Sequence, residues 1–200
     1  MPAPLEPETA GPVLPLETQA HQSAARPRRR PDARPYLLLL SAVVVLLDHL
    51  TKRYISAHLP TGRHHVVIPR IFAISHVLNT GAAFSFLSDS TSPEHVRWGL
   101  IGFSVLAIGI VLALLWRAGR ALSVTGVALA LILGGAIGNL HDRIRYGYVI
   151  DFLEVHIVHY HWPDFNVADS AIVTGACLLI LEIFRPQGRP LETTEGSYRS

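Results

Sequence analysis

Two stretches of this chain, Trp98 to Trp116 and Ala121 to Leu140, contain no charged residue. As helices at 1.5 Å per residue each would be roughly 30 Å long, the thickness of a bilayer's hydrocarbon core. Inside lipid a segment must satisfy its own backbone N–H and C=O groups, which leaves the helix as the conformation for a lone apolar run. Two further apolar runs extend from about Tyr36 to Ala57 and from about Val167 to Phe184. Only 16% of the residues are charged and the mean hydropathy is +0.33, against about 25% charged in a soluble domain. The expected fold class is therefore an all-α polytopic membrane protein with four transmembrane helices.

Residues 1–35 are rich in Pro, Ala, Glu and Arg and lack hydrophobic periodicity, so they read as a disordered tail. A cleaved signal peptide fits less well, because the first apolar run leads into Asp48, Lys52 and Arg53 with no Ala-x-Ala-like exit. A membrane domain then covers 36–185, and 186–200 form a C-terminal tail. Arg26, Arg28, Arg29, Arg30 and Arg34 precede the first run, Arg117 and Arg120 separate the second and third, and Arg185 and Arg189 follow the fourth. All fall on one side, which predicts a cytoplasmic location for both termini. The longer loops, about 58–97 and 141–165, then lie outside. There His64 to Ile68 and Ile71 to Val77 flank Pro69-Arg70, and Phe152 to Tyr160 is similar; these β-branched stretches predict a small extracytoplasmic sheet. Ser92 followed by Pro93 and Glu94 reads as an N-cap opening the second span.

Gly126, Ala130, Gly134 and Gly138 stand four residues apart on the third run, a spacing that lets helix backbones approach closely in lipid. Such packing would deliver Asn139, Asp142 and Arg143 to a fixed place. Five aspartates lie at or near the ends of the apolar runs: Asp48, Asp142, Asp151, Asp164 and Asp169. An acid at membrane depth faces a bundle interior or a wet cavity, and two brought together can share a proton and run acid/base chemistry. Asp48 and Lys52, four apart on one helix face, read as an architectural ion pair. Asp142 adjoins Arg143, which points to an ionised, orienting carboxylate. Asp151 stands among Tyr148, Val149, Ile150, Phe152 and Leu153, an apolar setting for an acid. Asn166 and Asp169 have the spacing of a capping box, and Asn166 can cap while Asp169 still points into the bundle.

Other chemistries fit less well. A net charge of +2 gives no broad nucleic-acid footprint. Cys177 is the single cysteine, which excludes an intrachain disulfide or thiolate cage and reads as a small core residue. Among the 11 histidines, His156, His159 and His161 lack the helical H-E-x-x-H spacing, so most are expected to face solvent and no metal site is expected. No base is assigned to Ser85 as a nucleophile, and no Walker, Rossmann or G-x-S-x-G pattern occurs.

The strings Asp48-His-Leu-Thr-Lys52, Asn79-Thr-Gly-Ala-Ala-Phe-Ser85, Gly134-Gly-Ala-Ile-Gly-Asn-Leu-His-Asp-Arg143, Val149-Ile-Asp151-Phe152 and Phe165-Asn-Val-Ala-Asp169, in this order, resemble the signal peptidase II family. The resemblance covers about Tyr36 to Phe184. It implies a bacterial inner-membrane aspartic endopeptidase with four helices, a small β-cradle, an active site near the outer face and a mobile loop, about Thr80 to Thr91, over the site. It implies Asp151 and Asp169 as the catalytic pair, with Asn79, Gly81, Asn139, Arg143 and Asn166 around them and Asp48, Lys52 and Asp142 in support. Asp142 remains open as an alternative partner of Asp169, the neighbouring Arg143 being the reason to prefer Asp151. The implied substrates are prolipoproteins carrying diacylglycerol on the cysteine that follows the cut, with membrane lipid as the other partner. No metal or organic cofactor and no nucleic acid is implied, and a monomer is expected. A proton or cation carrier would instead string acids along a path through the bilayer, whereas these gather towards the outer ends. A non-enzymatic lipoprotein-binding scaffold would tolerate Asn at Asp151 or Asp169.

Overall fold

The computed structural model describes residues 31–81, 93–157 and 160–185. Residues 1–30 of the N-terminal tail, residues 186–200 of the C-terminal tail, the Ser92 cap, Ser85, His159 and most of the loop expected to cover the site lie outside the described residues.

Helix α1, Arg34–His58, starts with a proline in its first turn and buries Leu37, Ser41, Val44, Asp48, Lys52 and Ile55. These six recur every three or four residues, so they form one stripe along the helix. Its opposite face exposes Leu38, Leu39, Val43, Leu46, Leu47 and Leu50, as a lipid-facing surface should. Helix α2, Pro93–Ala118, is apolar on all sides. Helix α3, Val124–Arg145, is the central one: Ser123 caps it by accepting from Gly126 N at 3.0 Å, and ten of its residues are buried. Helix α4, Val167–Ile183, begins at the capping box expected from Asn166 and Asp169.

Three of these helices, over Arg34–His58, Glu94–Ala118 and Val124–Arg145, are long and apolar enough to cross a membrane. The chain is accordingly a multi-pass membrane protein. α4 has 17 residues, a length of about 25 Å.

The expected small-residue stripe faces α1. A methyl group added at Gly126 would meet Leu37, at Gly134 Ser41 and Val44, and at Gly138 the Asp48 carboxylate. Ser41 Oγ closes the same interface by donating to Ala130 O at 2.8 Å. On another side of α3, Gly135 lies against Ala168 and Ile172 of α4, while Gly175 of α4 lies against Ala128 and Ile132. Lipid tails are as apolar as leucine, so helices associate through this close packing rather than through hydrophobic burial.

Strands β1 (His64–Ile68), β2 (Phe72–Asn79), β3 (Val149–Ile157) and β4 (Tyr160–Phe165) form one antiparallel sheet in the order β1-β2-β3-β4. The first two strands match the sequence reading, with β2 extended to Asn79. The third differs: Phe152 to Tyr160 is the end of one strand and the start of another. β4 contains Pro163, which argues against a strand in the middle of a sheet but is tolerated on an edge, and β4 is the edge. β3 follows α3 through Gly147 at φ 84°, and β4 leads through Asn166 into α4. The sheet is therefore joined to the bundle where α3 ends and α4 begins.

Candidate active site

The polar centre starts from a buried lysine. Lys52 Nζ lies 2.7 Å from Asp48 Oδ2, 2.8 Å from Asp142 Oδ2 and 3.1 Å from Asn139 Oδ1. An ammonium has three N–H donors, and each finds an acceptor. Asp48 Oδ1 in turn accepts from Ala168 N at 2.9 Å, and Asp142 Oδ2 from Ile150 N at 3.4 Å. One cation thus ties α1 to α3, to the start of β3 and to the first turn of α4. The side chains of Lys52, Asp48 and Asp142 are only 1–3% exposed.

The architectural reading of Asp48 and Lys52 agrees with this geometry, but the expected partner of Asp142 does not. Its cation is Lys52, not Arg143. Neighbours on a helix point about 100° apart, so sequence adjacency does not pair them. Arg143 Nη1 makes a long 3.5 Å contact with Asn139 O and feels the charges of Asp169, Asp151 and Asp142. The end of α3 is held by Arg97, which donates to Arg143 O and Ile144 O at 3.0 Å each. No sequence pattern signalled that cap, since the partners are 46 and 47 residues away.

Asparagines connect this centre to the other two acids. Asn139 receives Lys52 on Oδ1 and donates through Nδ2 to Asp169 Oδ1 at 2.7 Å. Asn166 is fully buried and does two jobs. Its Oδ1 accepts from Asp169 N at 2.9 Å, while its Nδ2 donates to Asp151 Oδ1 at 2.7 Å. Its backbone N–H donates to Asp169 Oδ2 at 3.3 Å, completing the capping box. Capping and orientation of Asp151 are functions of one side chain.

Asp151 is delivered by the sheet. It pairs across the ladder with Val77, and Asn79 pairs with Val149, which makes Asn79 its diagonal neighbour. Asn79 Nδ2 donates to Asp151 Oδ2 at 2.9 Å, so each Asp151 oxygen holds one amide donor. Gly81 N donates to Asn79 Oδ1 at 2.9 Å and fixes the orientation of that amide. Gly81 stands at φ 84°, a conformation that favours glycine. Burial pushes the Asp151 carboxyl up to about 6; the Asn79 hydrogen bond opposes the shift and the charge of Asp169 adds to it. Asp164 is elsewhere, accepting from Ser75 Oγ at 2.8 Å.

Asp48, Asp142, Asp151 and Asp169, with Lys52, Arg143 and the three asparagines, therefore belong to one polar cluster at the sheet-bearing end of the helices. The histidines are not uniformly solvent-facing: His76 is buried, with Nδ1 2.7 Å from Leu59 O, and His156 is half-buried on β3.

The profile of peptidase family A8, signal peptidase (SPase) II, matches residues 40–185. Lipoprotein signal peptidases of Pseudomonas putida, Solibacter usitatus and a Janthinobacterium species are 46%, 41% and 47% identical over 149, 157 and 150 residues. These alignments cover 74%, 78% and 75% of this chain and 86%, 95% and 88% of the relatives. A solved structure described as a bacterial membrane enzyme superposes with a TM-score of 0.70 at 25% identity, covering 80% of this chain and 99% of the other. A second of the same description gives 0.67 at 26% identity, covering 79% and 95%. With the profile spanning the bundle, the sheet and every acid of the polar cluster, the chain belongs to the signal peptidase II family.

Proposed function

We propose that Asp151 and Asp169 are the catalytic pair of a membrane endopeptidase that cuts prolipoproteins just before a diacylglyceryl-modified cysteine. The observation that carries this reading is the convergence of Asn139 and Asn166 on the two carboxylates. Asp142 is held by Lys52 instead, which leaves it a supporting role. Asp151, whose carboxyl burial raises to about 6, is assigned the role of proton donor in the pair, and Asp169 the role of base. Asp169 takes a proton from a water whose oxygen attacks the scissile carbonyl carbon, while Asp151 donates to the carbonyl oxygen. Collapse of the resulting diol returns a proton to Asp151, breaks the C–N bond and moves the proton on Asp169 to the leaving amine. No step needs a metal or organic cofactor.

In this reading α4 is the fourth span. Its 17 residues fall a few ångströms short of a typical ~30 Å core, and Phe184 and Arg185 continue it to the interface. Arginines 34, 117, 120 and 185 lie at the end of the bundle opposite the polar cluster, which supports a cytoplasmic location for both termini. The cluster and sheet then lie at the outer face of a bacterial inner membrane, where a substrate's acyl chains stay in the bilayer beside the apolar faces of α1 and α2. The enzyme works as a monomer, with prolipoprotein and lipid as its partners.

The test is incubation of purified protein with a prolipoprotein precursor before and after diacylglyceryl transfer, with products weighed by mass spectrometry. Cleavage immediately before the modified cysteine is expected, with little from the unmodified precursor. Equal cleavage of both would remove the lipid from the recognition.

The pH profile tests the proton assignment. A raised carboxyl holds its proton up to about 6 and loses it as pH climbs through that value. Activity requiring one proton on the pair should therefore fall above pH 6, approaching tenfold per unit. That limb belongs to the coupled pair rather than to one isolated acid. A kcat/KM that stays level from pH 5 to 8 would contradict this assignment.

Gly81→Ala probes how Asn79 is held. The left-handed conformation costs a non-glycine residue roughly 1–2 kcal/mol, and the added methyl would lie 2.6 Å from Leu100 Cδ1. Relief of that strain moves the Asn79 amide off Asp151, so kcat should drop about tenfold with a smaller change in KM. Unchanged kcat would show that the turn does not set the Asp151 geometry.

A further inference from the structure

The β3–β4 pair brings together three metal-ligating side chains that take no part in the proposed chemistry. Glu154 and His156 are two residues apart on β3 and therefore project from the same face of the sheet. His161 on β4 is the direct cross-strand partner of His156, with ring centroids 4.9 Å apart. Both imidazoles aim Nε2 at the same atom, Glu154 Oε1, at 2.8 Å from His156 and 3.4 Å from His161. One ligand atom from each residue lies within 4.8 Å of the other two. The Glu154 side chain is 14% exposed and those of His156 and His161 are 37% and 50% exposed, so the carboxylate sits beneath and the rings above.

We propose that Glu154, His156 and His161 bind one divalent transition-metal ion of the zinc type. Metal–ligand bonds of about 2.0–2.1 Å at tetrahedral angles place neighbouring ligand atoms about 3.3 Å apart. The His161–Glu154 separation of 3.4 Å already has that value, and the His156–Glu154 pair needs to open from its 2.8 Å hydrogen bond. Two imidazoles and one carboxylate suit zinc, cobalt, nickel or copper better than magnesium or calcium, whose sites are built from oxygen. Three protein ligands leave a fourth position open. A groove of about 790 Å³ lined by residues including His64, Phe72, Glu154 and His156 gives an ion and its water a way in.

The ion would replace the proton between His156 and Glu154 and clamp β4 to β3. Because β4 leads through Asn166 into α4, such a clamp stiffens the outer part of the strand that carries Asp151. The sequence pattern Glu-x-His-x-x-x-x-His hides the site, since its third ligand arrives by strand pairing rather than by helical spacing.

The experiment uses the full chain, free of any affinity tag and stripped with a chelator, titrated with Co²⁺ and then Zn²⁺. Expected are tetrahedral Co²⁺ absorption bands that saturate at one equivalent and vanish as Zn²⁺ displaces the cobalt, and a Tm that rises with Zn²⁺. His161→Ala and Glu154→Gln should each weaken binding at least tenfold, while both still cleave prolipoprotein without added metal. Cleavage by these variants confirms that they are folded, and if one fails to fold the other carries the comparison. Absence of a saturable cobalt spectrum, or affinity unchanged in a folded variant, would overturn the site and leave an ordinary hydrogen-bonded cluster.

Discussion

Asp151→Asn and Asp169→Asn are each expected to lower kcat/KM by at least about a thousandfold, because each removes a proton carrier on which both halves of the reaction depend. The folded protein should survive both changes. Asp151 accepts one amide donor on each oxygen, and an asparagine there keeps one of those bonds and turns its own NH₂ towards the other donor. The loss of one such bond costs about 1 kcal/mol. Asn in place of Asp169 can still accept from Asn139, and it gives up only the 3.3 Å bond from the Asn166 backbone. Asp142→Asn is the comparison that decides the pairing. It weakens the Lys52 centre but leaves Asp151 and Asp169 with all their amide donors, so it should lower stability more than it lowers turnover. Cleavage assays with folded yield measured alongside check all three. An inactive, well-folded Asp142→Asn together with an active Asp151→Asn would show that the wrong acid has been paired with Asp169.

What could be read from the sequence was whatever sits within one helical turn. Asp48 and Lys52 are four apart, Asn166 and Asp169 three apart, and the glycine stripe recurs every four; each relation appears in the structure as expected. Relations made by folding could not be read in that way. Lys52 meets Asp142 across 90 positions and Asn79 meets Asp151 across 72, and neither distance leaves a pattern in the chain. The apparent pair Asp142-Arg143 was misleading for the same reason, since adjacency on a helix separates side chains. Pro163 obscured β4, because a proline forbids an inner strand but not an edge. With β4 unseen, the meeting of His156 and His161 was unseen too. The resemblance supplied what local spacing lacked, a grouping of distant polar residues around Asp151 and Asp169, and the hydrogen bonds of Asn79, Asn139 and Asn166 give that grouping its physical content.

Lys52→Met should be more damaging to the fold than either dyad substitution. It keeps the length and packing of the side chain and removes the charge, leaving the Asp48 and Asp142 carboxylates 1–3% exposed with no cation between them. Removing one partner of a buried ion pair destabilises by about 3–5 kcal/mol because the remaining charge is uncompensated, and here two charges remain. That is comparable with the whole stability of many proteins, about 5–15 kcal/mol, so little folded Lys52→Met should be recovered. If uncompensated charge is the cause, neutralising the acids should restore the fold. The triple variant Asp48→Asn, Lys52→Met, Asp142→Asn is therefore expected to unfold in detergent at a higher temperature than Lys52→Met alone. Activity should not return with it. Asn139 Oδ1 would keep only the 3.2 Å bond from Asn166 Nδ2 and lose the 3.1 Å bond from Lys52, which loosens the orientation of the Nδ2 that holds Asp169. Recovered Tm with kcat still depressed would separate the two roles of Lys52, neutralising charge and aiming Asn139. Recovery of both would limit Lys52 to charge balance, and recovery of neither would mean that its hydrogen bonds, rather than its charge, hold the four elements together.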